Sequence, residues 1–205
     1  VMDMLPNTIS SEVDSAKRSQ INDALYLLEA TKIDEPASSP LLNGVWELRY
    51  VGGYASEWAL PSPTRQLALF LYSGGYSPGV FALRLAQQLP ISVGDLEIAI
   101  SRDQPRVQAT CKVGNDQEIQ VQARLDVVSS LRLSETYQKI TVLGREIELP
   151  APMQYSRELY VTYVDEDLLI VRDGSGVPEV LVRKNKQFTQ NWGMEPEAME
   201  DMNAP

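Results

Sequence analysis

Hydrophobic and polar residues alternate with a period of two through most of the chain after residue 93. Segments 94–100, 106–113 and 118–127 each place aliphatic residues at every second position, with mostly polar residues between them. This pattern is typical of a β-strand with one face in a core and the other in water. We expect antiparallel neighbours, because short turn sequences such as Asp173–Gly174 separate the segments.

Further segments of strand character lie at 131–141, 145–149, 157–164, 167–172 and 178–184. With a first strand near residue 46 they make about nine strands, and no helical pattern interrupts the later ones. A sheet of this length with one dry face is best closed on itself, since closure removes its exposed edges. The sequence therefore predicts a mainly β protein built on an antiparallel barrel.

The alternation also predicts which side chains face the barrel interior. They are Trp46, Val107, Ala109, Cys111, Ile119, Val121, Ala123, Leu125, Leu168 and Ile170. Three of them are small and lie in the middle of adjacent strands, namely Ala109, Cys111 and Ala123. The interior either stays open for a small apolar ligand or is filled by a larger side chain.

Outside the strands, the pattern predicts three further parts. Residues 1–18 form a flexible arm, and 19–31 carry apolar residues at helical spacing, which predicts an amphipathic helix at the start of a barrel domain spanning 19–186. Residues 187–205 are acidic, with scattered aromatic and methionine residues. That composition indicates either a disordered tail or a docking peptide for a protein partner.

The first strand contains Gly44 and Trp46, and its alternation places Trp46, Leu48 and Tyr50 on one face. After it comes a loop rich in glycine, proline and aromatic residues, including Tyr54 and Trp58. A short apolar helix, 79–89, follows and carries Phe81. These elements are candidates for a hydrophobic barrel mouth, so the predicted ligand-binding residues are Trp46, Tyr54, Trp58, Phe81, Ala109, Cys111 and Ala123.

Composition removes several function classes. The chain has 18 basic and 28 acidic residues, and its net charge of −10 disfavours nucleic acids and anionic lipid surfaces as partners. It contains no histidine and one cysteine, which excludes an internal disulfide, histidine-based catalysis and cysteine-rich metal sites. We expect no catalytic residues, no metal and no cofactor. Glu135 and Lys139 are the nearest approach to an inward acid–base pair.

Membrane crossing is not expected, because no apolar run approaches the roughly 18 residues that a spanning helix requires. The start at Val1 shows neither a signal peptide nor a transit peptide pattern. The lone thiol suits a reducing compartment.

Two separated motifs carry a family resemblance. The run Leu41-Leu-Asn-Gly-Val-Trp-Glu-Leu-Arg-Tyr50, preceded by the helix around 24–29, resembles the opening of the plastid lipid-associated proteins, also called fibrillins or plastoglobulins. The run 160–172, followed by Val180-Leu-Val-Arg183, is similar to the terminal strands of that family. Leu169 stands where the family usually has arginine, and Asp173 where it usually has glycine.

The resemblance implies a lipocalin-like barrel located in the chloroplast, attached peripherally to plastoglobules or thylakoids on the stromal side. It implies binding or shielding of lipophilic molecules such as prenylquinones, carotenoids or other neutral lipids, and it brings no catalytic residues. An interaction or scaffold subunit of a thylakoid or stromal complex, without a ligand, is the alternative that stays open.

The matching residues can be given physical roles. Gly44 permits a close backbone approach at the barrel floor, and Trp46 fills that floor. Arg172 shares the parity of Leu168 and is expected to face inward, where its guanidinium would stack on an indole. Arg183 is the competing candidate for the same stack.

Overall fold

A computed structural model describes residues 1–7, 13–31, 33–52, 93–102, 106–113, 117–142, 144–151, 154–174 and 176–185. In these ranges one α-helix, α1 (Ser15–Glu29), precedes nine strands. The strands are β1 (Gly44–Val51), β2 (Val93–Ser101), β3 (Arg106–Val113), β4 (Gln117–Val127), β5 (Arg132–Val142), β6 (Arg145–Glu148), β7 (Ser156–Val164), β8 (Leu168–Asp173) and β9 (Pro178–Asn185).

The strands form one antiparallel sheet that closes in a ring. Its order is β4-β3-β2-β1-β9-β8-β7-β5-β6, and a further pairing between β4 and β5 completes the circle. The short strand β6 and the strand β7 both pair with β5, β7 with its first half and β6 with its second half. The ring is closed without β6. The closed antiparallel sheet and the helix near the N-terminus, both expected from the sequence, are confirmed.

Most boundaries follow the sequence pattern closely. The five later strands begin and end within one residue of the predicted limits. Helix α1 begins at Ser15, four residues before its predicted start, because the Asp14 side chain caps it by accepting a hydrogen bond from the Lys17 N–H at 2.7 Å. The predicted short helix at 79–89 lies outside the described residues.

Two hydrophobic clusters lie on opposite sides of the sheet. The inner cluster fills the ring and contains Trp46, Leu48, Ile98, Ile100, Val107, Leu125, Leu133, Leu159, Leu169, Val171 and Leu181, among others. The outer cluster lies between α1 and the outside of the sheet and is formed by Leu5, Ile21, Leu25, Tyr50, Leu168, Ile170 and Val180. The helix therefore covers part of the ring from outside.

The outer cluster corrects two predictions. Leu168 and Ile170 were expected to face the interior, but they pack on the helix side, and Leu169 and Val171 face inward instead. Both faces of β8 are buried, so its sequence shows no alternation from which the inward face could be inferred. Tyr50 also leaves the face shared by Trp46 and Leu48, because the register with β9 shifts after Leu48.

Candidate ligand-binding site

Trp46 packs in the inner cluster beside the segment that precedes β1, and we call this group the floor of the ring. This side chain is fully buried, and its indole N–H donates a hydrogen bond to the Leu42 carbonyl at 3.0 Å. Leu42 ends a short 3-10 turn immediately before β1. The chain then enters β1 at Gly44 with a φ of 147°, a conformation that L side chains rarely adopt. The glycine thus permits the backbone conformation that joins this turn to the strand carrying Trp46.

Arg183 holds the floor in place. Its guanidinium lies over the Trp46 ring, with 4.0 Å between the guanidinium carbon and the ring centroid. The same group donates to the carbonyls of Asn43 at 2.7 Å and Leu41 at 2.5 Å, and to the carbonyl of Glu166. Partial burial lowers the pKa of Arg183, an effect that nearby Asp167 opposes. Of the two arginines considered from the sequence, Arg183 is the one that stacks.

Arg172 lies on the outer side of the sheet, and the expectation that it faces inward is wrong. It donates from two nitrogens to Glu29 of α1, at 2.8 and 2.6 Å. The hydrogen bond to Glu29 raises the pKa of Arg172, although burial opposes it. Arg172 lies on the same face of β8 as Leu168. Because that face was wrongly expected to point inward, the expectation for Arg172 was wrong as well. Its observed role is to fix the end of the helix against β8.

Above the floor the ring encloses a cavity that is partly open to solvent. Most of its lining is aliphatic, and apart from Leu42 the lining residues come from β2, β3, β4, β5, β7, β8 and β9. They are Leu42, Ile98, Ile100, Val107, Ala109, Val121, Leu125, Leu133, Leu159, Leu169, Val171 and Leu181, with four polar residues on one side.

Of the three small residues predicted to face the interior, the structure describes the side chains of two. Ala109 lines the cavity, and Ala123 is buried between its register partners Val107 and Tyr137. Cys111 pairs with Leu96 and Ile119 in the sheet, but its side chain lies outside the described part of the structure. Tyr54, Trp58 and Phe81 also lie outside it, so the predicted mouth stays a prediction.

The four polar residues of the cavity form one connected group, the charge cluster, made of Glu135, Tyr137, Arg157 and Glu179. Glu135 and Arg157 face each other across β5 and β7, and Arg157 Nε donates to Glu135 Oε2 at 2.5 Å. Arg157 Nη1 donates to Glu179 Oε1 on β9 at 2.8 Å. The Tyr137 hydroxyl donates to Glu135 Oε2 at 2.7 Å. The charged members are 4%, 8% and 4% exposed for Glu135, Arg157 and Glu179.

The charge cluster keeps its protons in a fixed arrangement. Burial raises the pKa of Tyr137 well above its usual value, so its hydroxyl stays a donor. Burial would lower the pKa of Arg157, but the charges of Glu135 and Glu179 outweigh that effect and raise it well above its usual value. Arg157 therefore stays charged between the two carboxylates.

The sequence predicted only one member of this cluster. Glu135 has inward parity and does line the cavity, whereas Lys139 follows a register shift in β4, pairs with Gln122 and binds Glu146 at 2.6 Å. Arg157 and Glu179 were missed. Each shares the parity of an inward leucine on its strand, Leu159 and Leu181, so a charge at an inward position was the available signal.

No helix in the described ranges is long and apolar enough to cross a membrane. Within the same ranges, the structure brings together no group of three or more histidine, cysteine, aspartate or glutamate residues suited to a metal ion.

Comparison with known proteins gives two relatives from Arabidopsis thaliana. The probable plastid-lipid-associated proteins 9 and 13, both chloroplastic, are each 24% identical to the chain over an alignment of 217 positions that covers 85% of the chain. The chain is a relative of the plastid lipid-associated proteins. The two matches support the family that the two end motifs indicated, and they support placement in the chloroplast. No family model matches the chain.

The match does not extend over the whole of either relative. The aligned region spans 63% of protein 9 and 65% of protein 13. The ligand of this chain and the surface to which it attaches therefore have to be argued from the ring and its cavity.

Proposed function

We propose that this protein is a non-catalytic binder that holds or shields a lipophilic molecule inside the strand ring. Prenylquinones, carotenoids and other neutral lipids are the candidate ligands, and plastoglobule or thylakoid surfaces are the candidate locations. The observation that carries the proposal is the cavity inside the ring, which is lined mainly by aliphatic side chains.

An apolar ligand in this cavity would be stabilised by removal of its surface from water, at about 25 cal/mol per Å². The lining comes from strands all around the ring, so a bound molecule would contact the protein on most sides. Trp46, on which Arg183 stacks, packs in the same inner cluster as many of the lining residues. These features favour a small lipophilic molecule over a protein partner as the occupant.

A non-catalytic role is supported by the arrangement of the buried charges. The guanidinium of Arg157 is held by both Glu135 and Glu179, and the Tyr137 hydroxyl is held by Glu135. Groups fixed in this way serve structure and recognition more readily than proton transfer. Attachment to a lipid surface through the predicted mouth residues Tyr54, Trp58 and Phe81 is part of the same proposal.

Filling the cavity tests the proposal. Ala109→Phe adds an aromatic ring to the lining, and we expect the affinity for the neutral dye Nile red to fall by about tenfold or more because the ligand volume is lost. Fluorescence titration of the purified protein measures the affinity. Ala109 is suited to this change because it lines the cavity and is half-buried.

The matched control is Thr110→Phe, which adds the same ring at the next position of β3, on the opposite face of the strand. This variant should bind Nile red as the wild type does. Equal binding by both variants, or no saturable binding by the wild type, would contradict the proposal and favour the scaffold alternative.

A further inference from the structure

The charge cluster lies on one wall of an otherwise aliphatic cavity. Three neighbouring parts of the ring contribute to it, namely β5 with Glu135 and Tyr137, β7 with Arg157 and β9 with Glu179. Buried charges are costly, and replacing such a group by aliphatic residues is often neutral or stabilising. The cluster is therefore poorly explained by stability, and its position on the cavity wall suggests recognition.

Most of the hydrogen-bond donors in the cluster are already used within it. Each of the three guanidinium nitrogens of Arg157 donates to a glutamate, Nε to Glu135 and both Nη atoms to Glu179, the longest of these bonds being 3.5 Å. The Tyr137 hydroxyl donates to Glu135 as well. A ligand that needs a donor from the wall would have to compete with these bonds.

An acceptor, by contrast, is available. Both donors that reach Glu135, the Tyr137 hydroxyl and Arg157 Nε, bind its Oε2 atom. The other oxygen, Oε1, has no hydrogen-bond donor among the residues that the structure describes. A carboxylate oxygen of a buried residue that lines a cavity would gain from a donor supplied by a ligand.

The net charge of the cluster points in the same direction. Two carboxylates and one guanidinium leave one net negative charge, two minus one, on the wall of an apolar cavity. In such surroundings an anionic head group is repelled and a hydroxyl group is attracted.

We propose that the cavity selects an amphipathic ligand with a long apolar body and a hydroxyl head group, and that the head group donates a hydrogen bond to Glu135 Oε1. A long-chain alcohol or a phenol with an apolar tail fits this description. An ether of the same shape lacks the donor, and a fatty acid anion carries the wrong charge. The inference rests on the proposed function, since it requires that the cavity binds a lipophile at all.

Three probes of the same chain length separate these possibilities: dodecanol, its methyl ether and dodecanoate. Displacement of Nile red from the wild-type protein, at a pH where dodecanoate is ionised, gives the three affinities. We expect dodecanol to bind about tenfold or more tightly than the ether, as for a hydrogen bond to a charged acceptor, and dodecanoate to bind more weakly than dodecanol.

The triple substitution Glu135→Leu, Arg157→Met and Glu179→Leu replaces the charges by aliphatic groups. In this variant the affinity for dodecanol should fall to that of the ether, while the ether itself binds as before. A second variant, Glu135→Gln, keeps the Arg157–Glu179 pair and places an amide N–H₂ donor at the wall. It should reduce the preference for dodecanol even if the triple variant fails to fold.

The outcomes separate the two proposals. If the wild type binds the ether as tightly as dodecanol, or dodecanoate as tightly as dodecanol, the hydroxyl selection is wrong and the lipid-binding function stands. A preference for dodecanol that persists in Glu135→Gln would also overturn the assignment to Glu135. If none of the three probes displaces Nile red, both proposals fail.

Discussion

Trp46→Ala should lower the free energy of unfolding by about 3 to 5 kcal/mol, as expected for removal of a buried aromatic side chain. Trp46 is fully buried within the inner cluster, so the substitution leaves a cavity at the ring floor. It also leaves the Leu42 carbonyl without the indole donor and Arg183 without the ring on which it stacks. Equilibrium denaturation in urea measures the change.

Tyr26→Ala is the matched control, since it removes an aromatic side chain that is 75% exposed on α1. Its effect should stay within about 0.5 kcal/mol. A loss below about 1 kcal/mol for Trp46→Ala would contradict the role of the tryptophan as the floor of the ring.

Arg157→Met should have an effect of similar size for a different reason. The substitution removes the cation that lies between Glu135 and Glu179 and leaves two buried carboxylates without an opposite charge, at a cost of about 3 to 5 kcal/mol. Without the cation, protonation of the two carboxylates removes both their mutual repulsion and the cost of burying their charge. The destabilisation is therefore largest where both carboxylates are ionised, and it becomes smaller as the pH falls.

The stability deficit of Arg157→Met should therefore shrink as the pH falls toward the ordinary range of a carboxyl group, which urea denaturation at several pH values will show. The control is the triple variant Glu135→Leu, Arg157→Met and Glu179→Leu, which removes all three charges. Its stability should lie within about 1 kcal/mol of the wild type or exceed it. A deficit for Arg157→Met that is small, or that grows as the pH falls, would be inconsistent with a buried charge cluster.

The sequence predicted those parts of the fold in which one strand face is dry and the other wet. In β3 and β4 the alternation correctly placed Val107, Ala109 and Leu125 toward the interior. It failed in β8, where the ring interior and α1 bury opposite faces and every second residue is no longer polar. It failed at Tyr50 for another reason, because a register shift in β1 turns the face over without a change in composition.

The charge cluster was beyond sequence reasoning for a topological reason. Glu135 and Arg157 are 22 residues apart, and Arg157 and Glu179 are a further 22 apart, so only pairing of their strands brings them together. The alternation along one strand shows that a charged residue faces inward. Which oppositely charged residue it meets depends on which strands are neighbours in the ring. The sequence likewise left two arginines as candidates for stacking on Trp46. In the structure the face of β8 that carries Arg172 points toward α1, so Arg183 is the one that stacks.

Co-purification of lipid tests the central claim, that the ring holds a lipophilic molecule, most directly. The protein is purified from a plastid extract, extracted with organic solvent and examined by mass spectrometry. We expect a neutral lipid in roughly stoichiometric amount with the wild type and with Thr110→Phe, and its loss in Ala109→Phe, in which the cavity is filled. Absence of lipid from the wild type, or equal lipid in all three proteins, would contradict the claim.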